Sequence, residues 1–308
     1  MPLTINTNSA AVTASYNLSR NNASLQKSLV RLSTGSRINK SSDDAGGLAV
    51  SMKLKASATR LRGVQNNIQN AMSFLEVQDG VLQGAADILS RMGELKSLSQ
   101  DVLKNSADIG NYNAEFKNLQ VQLYQIANEK FNGVSLFATK ATDGSTDGVF
   151  GGTAAQDNTV SIFTSERGSA GSVVSLDKSM LLSALTFTSD SDTTTVAFGT
   201  SGAKALAVAD ASSTLTLGEL GVSFFTKALE NVATLRAENG GTSSGLSFAS
   251  DHASRTRSNL EAANGRIVDV DIAAESTRLA KYNILVQASA AMLAQANTAP
   301  QTALMLLG

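Results

Sequence analysis

Between Pro2 and Pro300 the chain has no proline. A proline inside a helix removes a backbone hydrogen bond and clashes with the preceding turn, so residues 3–299 can form helices far longer than the usual three turns. The apolar spacing shows where such helices fall. Near the amino terminus Ala11, Leu18, Leu25 and Leu32 recur every seven residues, with Leu29 beside them. Seven-residue spacing makes one narrow stripe, the pattern of a coiled-coil seam. The rest of that segment is mostly Ser, Asn, Ala and Thr, too polar to hold an isolated helix against its ordering entropy, so it needs a partner. Ile272, Leu279, Val286 and Leu293 repeat the spacing near the other end. The simplest solution sets the two stripes against each other and folds the chain back on itself as a rod. Both stripes, and the apolar run Ala303–Leu307, leave apolar surface uncovered within one chain, which points to self-association.

The interior follows the same logic. The Gly-, Ser- and Asn-rich stretch 32–47 is a loop, with Ser42, Asp43 or Asp44 capping a long helix. The seam of that helix alternates by three and four through Leu61, Val64, Ile68, Ala71, Leu75, Gln78, Leu82, Ala85, Leu89 and Met92. It continues through Leu95, Leu98 and Val102 to Lys104, slipping phase after Gly93. Tyr112, Phe116, Leu119, Leu123 and Ile126 form a second seam that stops at the turn signal Phe131-Asn132-Gly133. Residues 139–203 change to Gly, Ser, Thr and Asp. Val160–Thr164 and Ser172–Leu176 read as a β-hairpin, Thr193–Phe198 as another strand, and Asp143–Gly152 as an exposed loop. Helix returns near Leu217, with the seam Phe225, Leu229 and Val232, a flexible point at Asn239-Gly240-Gly241, and then Leu246, Ala249, Ala253, Thr256, Leu260, Ala263 and Ile267.

Composition removes most chemistry. Without cysteine there is no thiolate nucleophile, disulfide or Cys-ligated zinc, and the single His252 excludes a His-pair metal site. Asp269-Val270-Asp271 resembles the D-x-D of metal-dependent sugar transferases, but a cap for the last helix is the simpler reading. Asp43-Asp44 likewise reads as a helix cap. The stretch Gly144–Gly152 lacks the Gly-Lys-Ser/Thr of a phosphate loop. A net charge of −1 argues against general nucleic-acid binding, and the basic cluster Lys27, Arg31, Arg37 and Lys40 reads as a solvated or self-association face. No apolar stretch approaches the ~20 residues of a membrane span. The segment MPLTINTNSAAVT has no apolar run of a secretory signal peptide. The expectation is a structural protein, not an enzyme, with no cofactor, no metal, no nucleic acid and no membrane partner.

Two long motifs then carry a resemblance. RLSTGSRINKSSDDAGGLAVS (Arg31–Ser51) and NGRIVDVDIAAESTRLAKYNILVQASAAMLAQANTAPQTALMLLG (Asn264–Gly308) resemble the terminal signatures of bacterial flagellin. FNGVSLF (Phe131–Phe137) resembles that family's turn after the second long helix, and Asp157–Lys178 resembles the β-hairpin of its inner domain. The resemblance implies a mainly α fold, a long antiparallel helical bundle or coiled coil with a β-hairpin and a small variable outer insertion. It implies a terminal coiled coil, D0, from 1–42 and 265–308. A bundle, D1, comes from 43–137, 157–185 and 214–264, with surface insertions at 138–156 and 186–213 and no full further domain. The implied function is a subunit that self-assembles into the extracellular flagellar filament for swimming, exported without a cleavable signal peptide and, in the family, ordering D0 on assembly. Self-assembly would rest on Leu18, Leu25, Leu29, Leu32, Ile272, Leu279, Val286 and Leu293. Implied partners are further copies of the chain, a flagellar secretion chaperone, the filament cap and hook-associated proteins, and Toll-like receptor 5 through Arg91, Leu95 and Glu115. Ser90 and Gly93 depart from the strongly recognised pattern there. The alternative is a hook–filament junction protein, which shares flagellin-like termini.

Overall fold

The computed structural model describes residues 8–138, 148–151, 159–189, 192–210 and 214–307, the last nine of these as backbone only. The chain divides into two compact units, residues 1–59 with 257–308, and residues 60–256. The helices are α1 (Ser9–Thr34), α2 (Ala45–Ser99), α3 (Ser106–Ala127), α4 (Leu181–Ala184), α5 (Val222–Val268) and α6 (Ile272–Leu307).

Local chemistry sets their ends. The Asn8 side chain accepts from Ala11 N to start α1, and Gly35 ends it in the left-handed region at φ 68°. Of the three caps expected for α2, Asp44 is used, its Oδ1 accepting from Gly47 N at 2.8 Å. A Cβ at Gly47 would collide with that carboxylate. The helix ends at Ser99, before the expected Lys104. Leu98 is exposed and Val102 is 95% exposed, so neither continues the seam. Asn105 and Asp108 form a capping box that starts α3 at once, leaving no room for α2 to run on.

In the unit 60–256 the α2 seam is buried at every position from Leu61 to Leu95. Its one polar member, Gln78, is fully buried and donates to Leu136 O at 2.9 Å and Ser179 Oγ at 3.2 Å. Beside it Ala138 N donates to Ser179 O at 3.1 Å. Strands β1 (Lys130–Phe131) and β2 (Val134–Ser135) pair around Asn132 and Gly133, both at positive φ, the turn that suits the twist of a tight hairpin. The expected hairpin forms from β3 (Thr159–Phe163) and β4 (Val173–Asp177). A small antiparallel sheet follows in the order β6-β5-β7, from β5 (Thr186–Ser189), β6 (Asp192–Thr195) and β7 (Lys204–Ala205).

Two features differ from the sequence reading. Residues 186–213, expected at the surface, are partly core. Phe187 meets Phe224 edge-on at 5.2 Å, and Leu206, Ala207 and Val208 are buried with the helices. Asn239-Gly240-Gly241 is no flexible point, because α5 runs straight through it. Asn239 is buried and donates to Leu75 O at 2.9 Å, while Leu235 and Leu246 anchor the turns on either side, so packing overrides the low helix propensity of glycine. Of Asp143–Gly152 all but 148–151 lies outside the described residues, as do the side chains of Ala303–Leu307.

Candidate assembly surface

The unit formed by residues 1–59 and 257–308 is built on α1 against α6. Asn8 Nδ2 donates to Ala296 O at 2.7 Å, and Asn21 Nδ2 donates to Ser289 Oγ at 2.9 Å. Arg31 Nη1 lies 3.9 Å from Glu275 Oε2, and Ser36 bridges Asp269. As residue numbers rise on one helix they fall on the other, so the two are antiparallel, with the stripes facing as expected.

Leu18, Leu25, Leu32, Leu279, Val286 and Leu293 lie in this seam, and every one is only half-buried. Two expected members do not. Leu29 is 49% exposed and Ile272 is 67% exposed. A seam alternates by three and four, and the position three after Leu25 is Ser28, buried at 2% exposure, so Leu29 falls one step outside it. Ile272 is the first residue of α6, beside the point where Val270 N donates to Gly35 O just past the end of α1. The second seam position on each helix is therefore largely polar: Asn21 and Ser28 on α1, Glu275 and Ser289 on α6. Glu275 is 1% exposed and also pairs with Arg278 at 2.8 Å.

No apolar side chain described on either helix is fully buried. Outside the seam Val12, Tyr16 and Val30 are exposed on α1, and Ile284 and Met292 on α6. Apolar residues are spread around α6 with no preferred face. These outer residues escaped the sequence reading, although Tyr16, Ala23 and Val30 form a second seven-residue repeat that would have found them.

The basic cluster is largely consumed inside this unit. Lys27 Nζ lies 2.6 Å from Asp43 Oδ1, and Asn39 N and Lys40 N donate to Asp43 Oδ2. The Lys27 contact first, and the Asn39 amide second, hold the Asp43 carboxyl down to about 2. Arg37 Nη2 donates to Ile267 O at 2.7 Å. Asp271 Oδ1 accepts from Ala274 N at 3.1 Å, which is the cap reading of the D-x-D motif.

Comparison with known families matches the model "Bacterial flagellin N-terminal helical region" over residues 5–142 and "Bacterial flagellin C-terminal helical region" over 222–307. Bacillus subtilis flagellin is 32% identical over 315 aligned positions, covering 98% of this chain and 99% of that one. The chain belongs to the bacterial flagellin family. Flagellin of Listeria innocua is 31% identical over 96% of both chains, and the "Flagellar filament 33 kDa core protein" of Treponema phagedenis is 31% identical over 98% of this chain and 99% of its own. The crystal structure of Bacillus cereus flagellin aligns with 61% of this chain and 88% of that one at a TM-score of 0.42 and 21% identity. Family membership rests on the sequence relatives.

The residues that flagellin resemblance marks for receptor contact lie in the unit 60–256. Arg91 Nε and Nη2 engage both oxygens of Glu115 at 2.7 and 3.1 Å, and its Nη1 reaches Glu94 at 2.8 Å. The Glu115 contact, ahead of Glu94, raises the Arg91 pKa, and Arg91 in turn lowers that of Glu115. Both side chains are 43% exposed. Leu95 is not beside them on the surface. It is fully buried, because it continues the seam of Leu89 and Met92 into the core. The next residue, Lys96, is buried too, its pKa lowered by that burial, and its Nζ donates to Leu217 O at 2.6 Å.

Proposed function

We propose that this chain is the repeating structural subunit of the extracellular bacterial flagellar filament, and that it polymerises through α1 and α6 to build a propeller for swimming. The observation that carries the proposal is a helix pair without a closed core. Its seam leucines are half-buried, and its outer faces carry the exposed Val12, Tyr16, Ile284 and Met292. Neighbouring copies are the natural cover for such a surface. Flagellins and a flagellar filament core protein among the relatives favour a repeating subunit over a hook–filament junction protein. Residues 1–42 and 265–308 are the assembling D0. D1 comprises 43–137, 157–185 and 214–264, with 138–156 and 186–213 as the insertions. The role is structural rather than enzymatic.

The remaining partners follow from the same surfaces. The exposed Ile284 and Met292 of α6 suit capture by a secretion chaperone before export. The cap and hook-associated proteins take the two filament ends. Toll-like receptor 5 would meet Arg91 and Glu115, with Leu95 supporting the surface from below. Salt-induced assembly followed by sedimentation and negative-stain microscopy tests the central reading. The unaltered chain should pellet as filaments, while Leu25→Asp and Leu293→Asp should stay soluble. Normal filaments from either variant would overturn the assignment of α1 and α6 as the assembling pair.

A further inference from the structure

The apolar seam of α1 and α6 has a defect as an address. Leu18, Leu25 and Leu32 repeat every seven residues, and so do Leu279, Val286 and Leu293. Sliding one helix along the other by seven residues, about 10 Å at 1.5 Å per residue, exchanges these side chains among themselves and leaves the seam apolar. Leucine contacts alone therefore do not choose between the observed pairing and its slipped neighbours.

The polar seam positions do choose. Asn21 faces Ser289, with its Nδ2 2.9 Å from the hydroxyl and 3.5 Å from Leu285 O. A slide of seven would put Tyr282 or Ala296 in the place of Ser289. Glu275 is 1% exposed and lies against Arg31 and Arg278. In the slipped pairings Ser24 of α1, or residue 38 beyond its end, would replace Arg31. Glu275 would then keep only Arg278, on its own helix. A buried carboxylate that loses a cation, and a seam asparagine that loses its partner, penalise slippage where leucine does not. We infer that Asn21–Ser289 and Glu275–Arg31 are register-determining pairs, which fix one axial alignment of α1 against α6 so that every subunit presents the same assembling surface. The inference rests on the filament reading above and concerns how that surface is specified.

The absence of cysteine makes the test direct. Ser19→Cys and Thr277→Cys, one on each helix at exposed positions, take spin labels. The labelled chain is diluted into unlabelled subunits, assembled, and its inter-helix distance measured by double electron–electron resonance. The reference chain should give one distance. With Asn21→Ala and Glu275→Gln added, a second distance displaced by up to about 10 Å should appear. A single unshifted distance in filaments containing the variant would overturn the inference. Should the variant be excluded from filaments, the reciprocal exchange Asn21→Ser with Ser289→Asn decides. It should recover the incorporation that Asn21→Ala loses, and failure to do so also overturns the inference. Unlabelled chain that forms no filaments at all would instead count against the proposed function.

Discussion

Leu82 and Leu25 are both seam leucines, yet truncating them should damage different properties. Leu82 is fully buried in the core of the unit 60–256. Leu82→Ala removes three carbons and leaves a cavity with no solvent to fill it, which costs about 2–5 kcal/mol. Leu25 is half-buried in the single chain. At roughly 0.8 kcal/mol per methylene its three carbons are worth about 2.4 kcal/mol when fully covered, and since most of Leu25 is already covered, about 1.6 kcal/mol or more is at stake in the free subunit. Neighbouring copies would supply the remainder, about 0.8 kcal/mol or less per subunit, which raises the critical concentration for assembly by up to about fourfold. Urea unfolding followed by far-ultraviolet circular dichroism reads the first quantity, and sedimentation across a concentration series reads the second. Leu82→Ala should lower the unfolding midpoint sharply. Leu25→Ala should lower it by less and also shift the critical concentration, which Leu82→Ala should leave alone. If Leu25→Ala unfolds as readily as Leu82→Ala and assembles normally, the division between a self-sufficient core and a pair completed by its neighbours is wrong.

Three further outcomes follow from local geometry. The Asp43 carboxyl titrates at about 2 in the folded chain against 3.8 ordinarily, so its contribution is complete above 3.8 and is lost as pH falls toward 2. The stability gap between the unaltered chain and Asp43→Asn should therefore close over that window, and a gap constant from pH 6 to pH 2 would exclude the assignment. Gly133 sits at φ 80° with open space around its α-carbon, so Gly133→Ala should cost about 1 kcal/mol of backbone strain with no steric clash. An unchanged thermal midpoint would refute it. The Arg91–Glu115 pair is bidentate but 43% exposed on both sides, so a double-mutant cycle in urea should give a small coupling that shrinks with added salt. Coupling that is larger and insensitive to salt would contradict the exposure.

The long α2 seam was legible residue by residue from Leu61 to Leu95, because alternation by three and four over nine turns admits no other periodic reading. The pairing of the two ends was legible for the same reason. What escaped was polar. Counting apolar residues placed Leu29 in the seam and overlooked Ser28, since a buried serine gives no hydrophobic signal. The same blindness hid Asn21 and the buried Glu275. Asn239-Gly240-Gly241 misled because local propensity favours a break and only the packing of Leu235 and Leu246 outvotes it. Phe187 and Leu206 were lost in a Ser/Thr-rich neighbourhood whose average composition suggests surface. Leu95 was given two incompatible roles, seam residue and receptor contact, and the spacing was the better guide.

Gln78 has a consequence away from the helices. It grips Leu136 and Ser179 together, and Ala138 is hydrogen-bonded to Ser179 beside them, so the chain leaves the bundle and returns to it at one point. Within the intervening stretch Leu176 packs back into the core, and Thr164 N donates to Ser172 O at 3.0 Å to close the turn between β3 and β4. Adding residues to a loop whose ends already meet costs only about 0.6 kcal/mol for each doubling of length. A peptide grafted into that turn would thus draw little on the stability of the bundle, and a filament built from such chains would repeat the graft along its length.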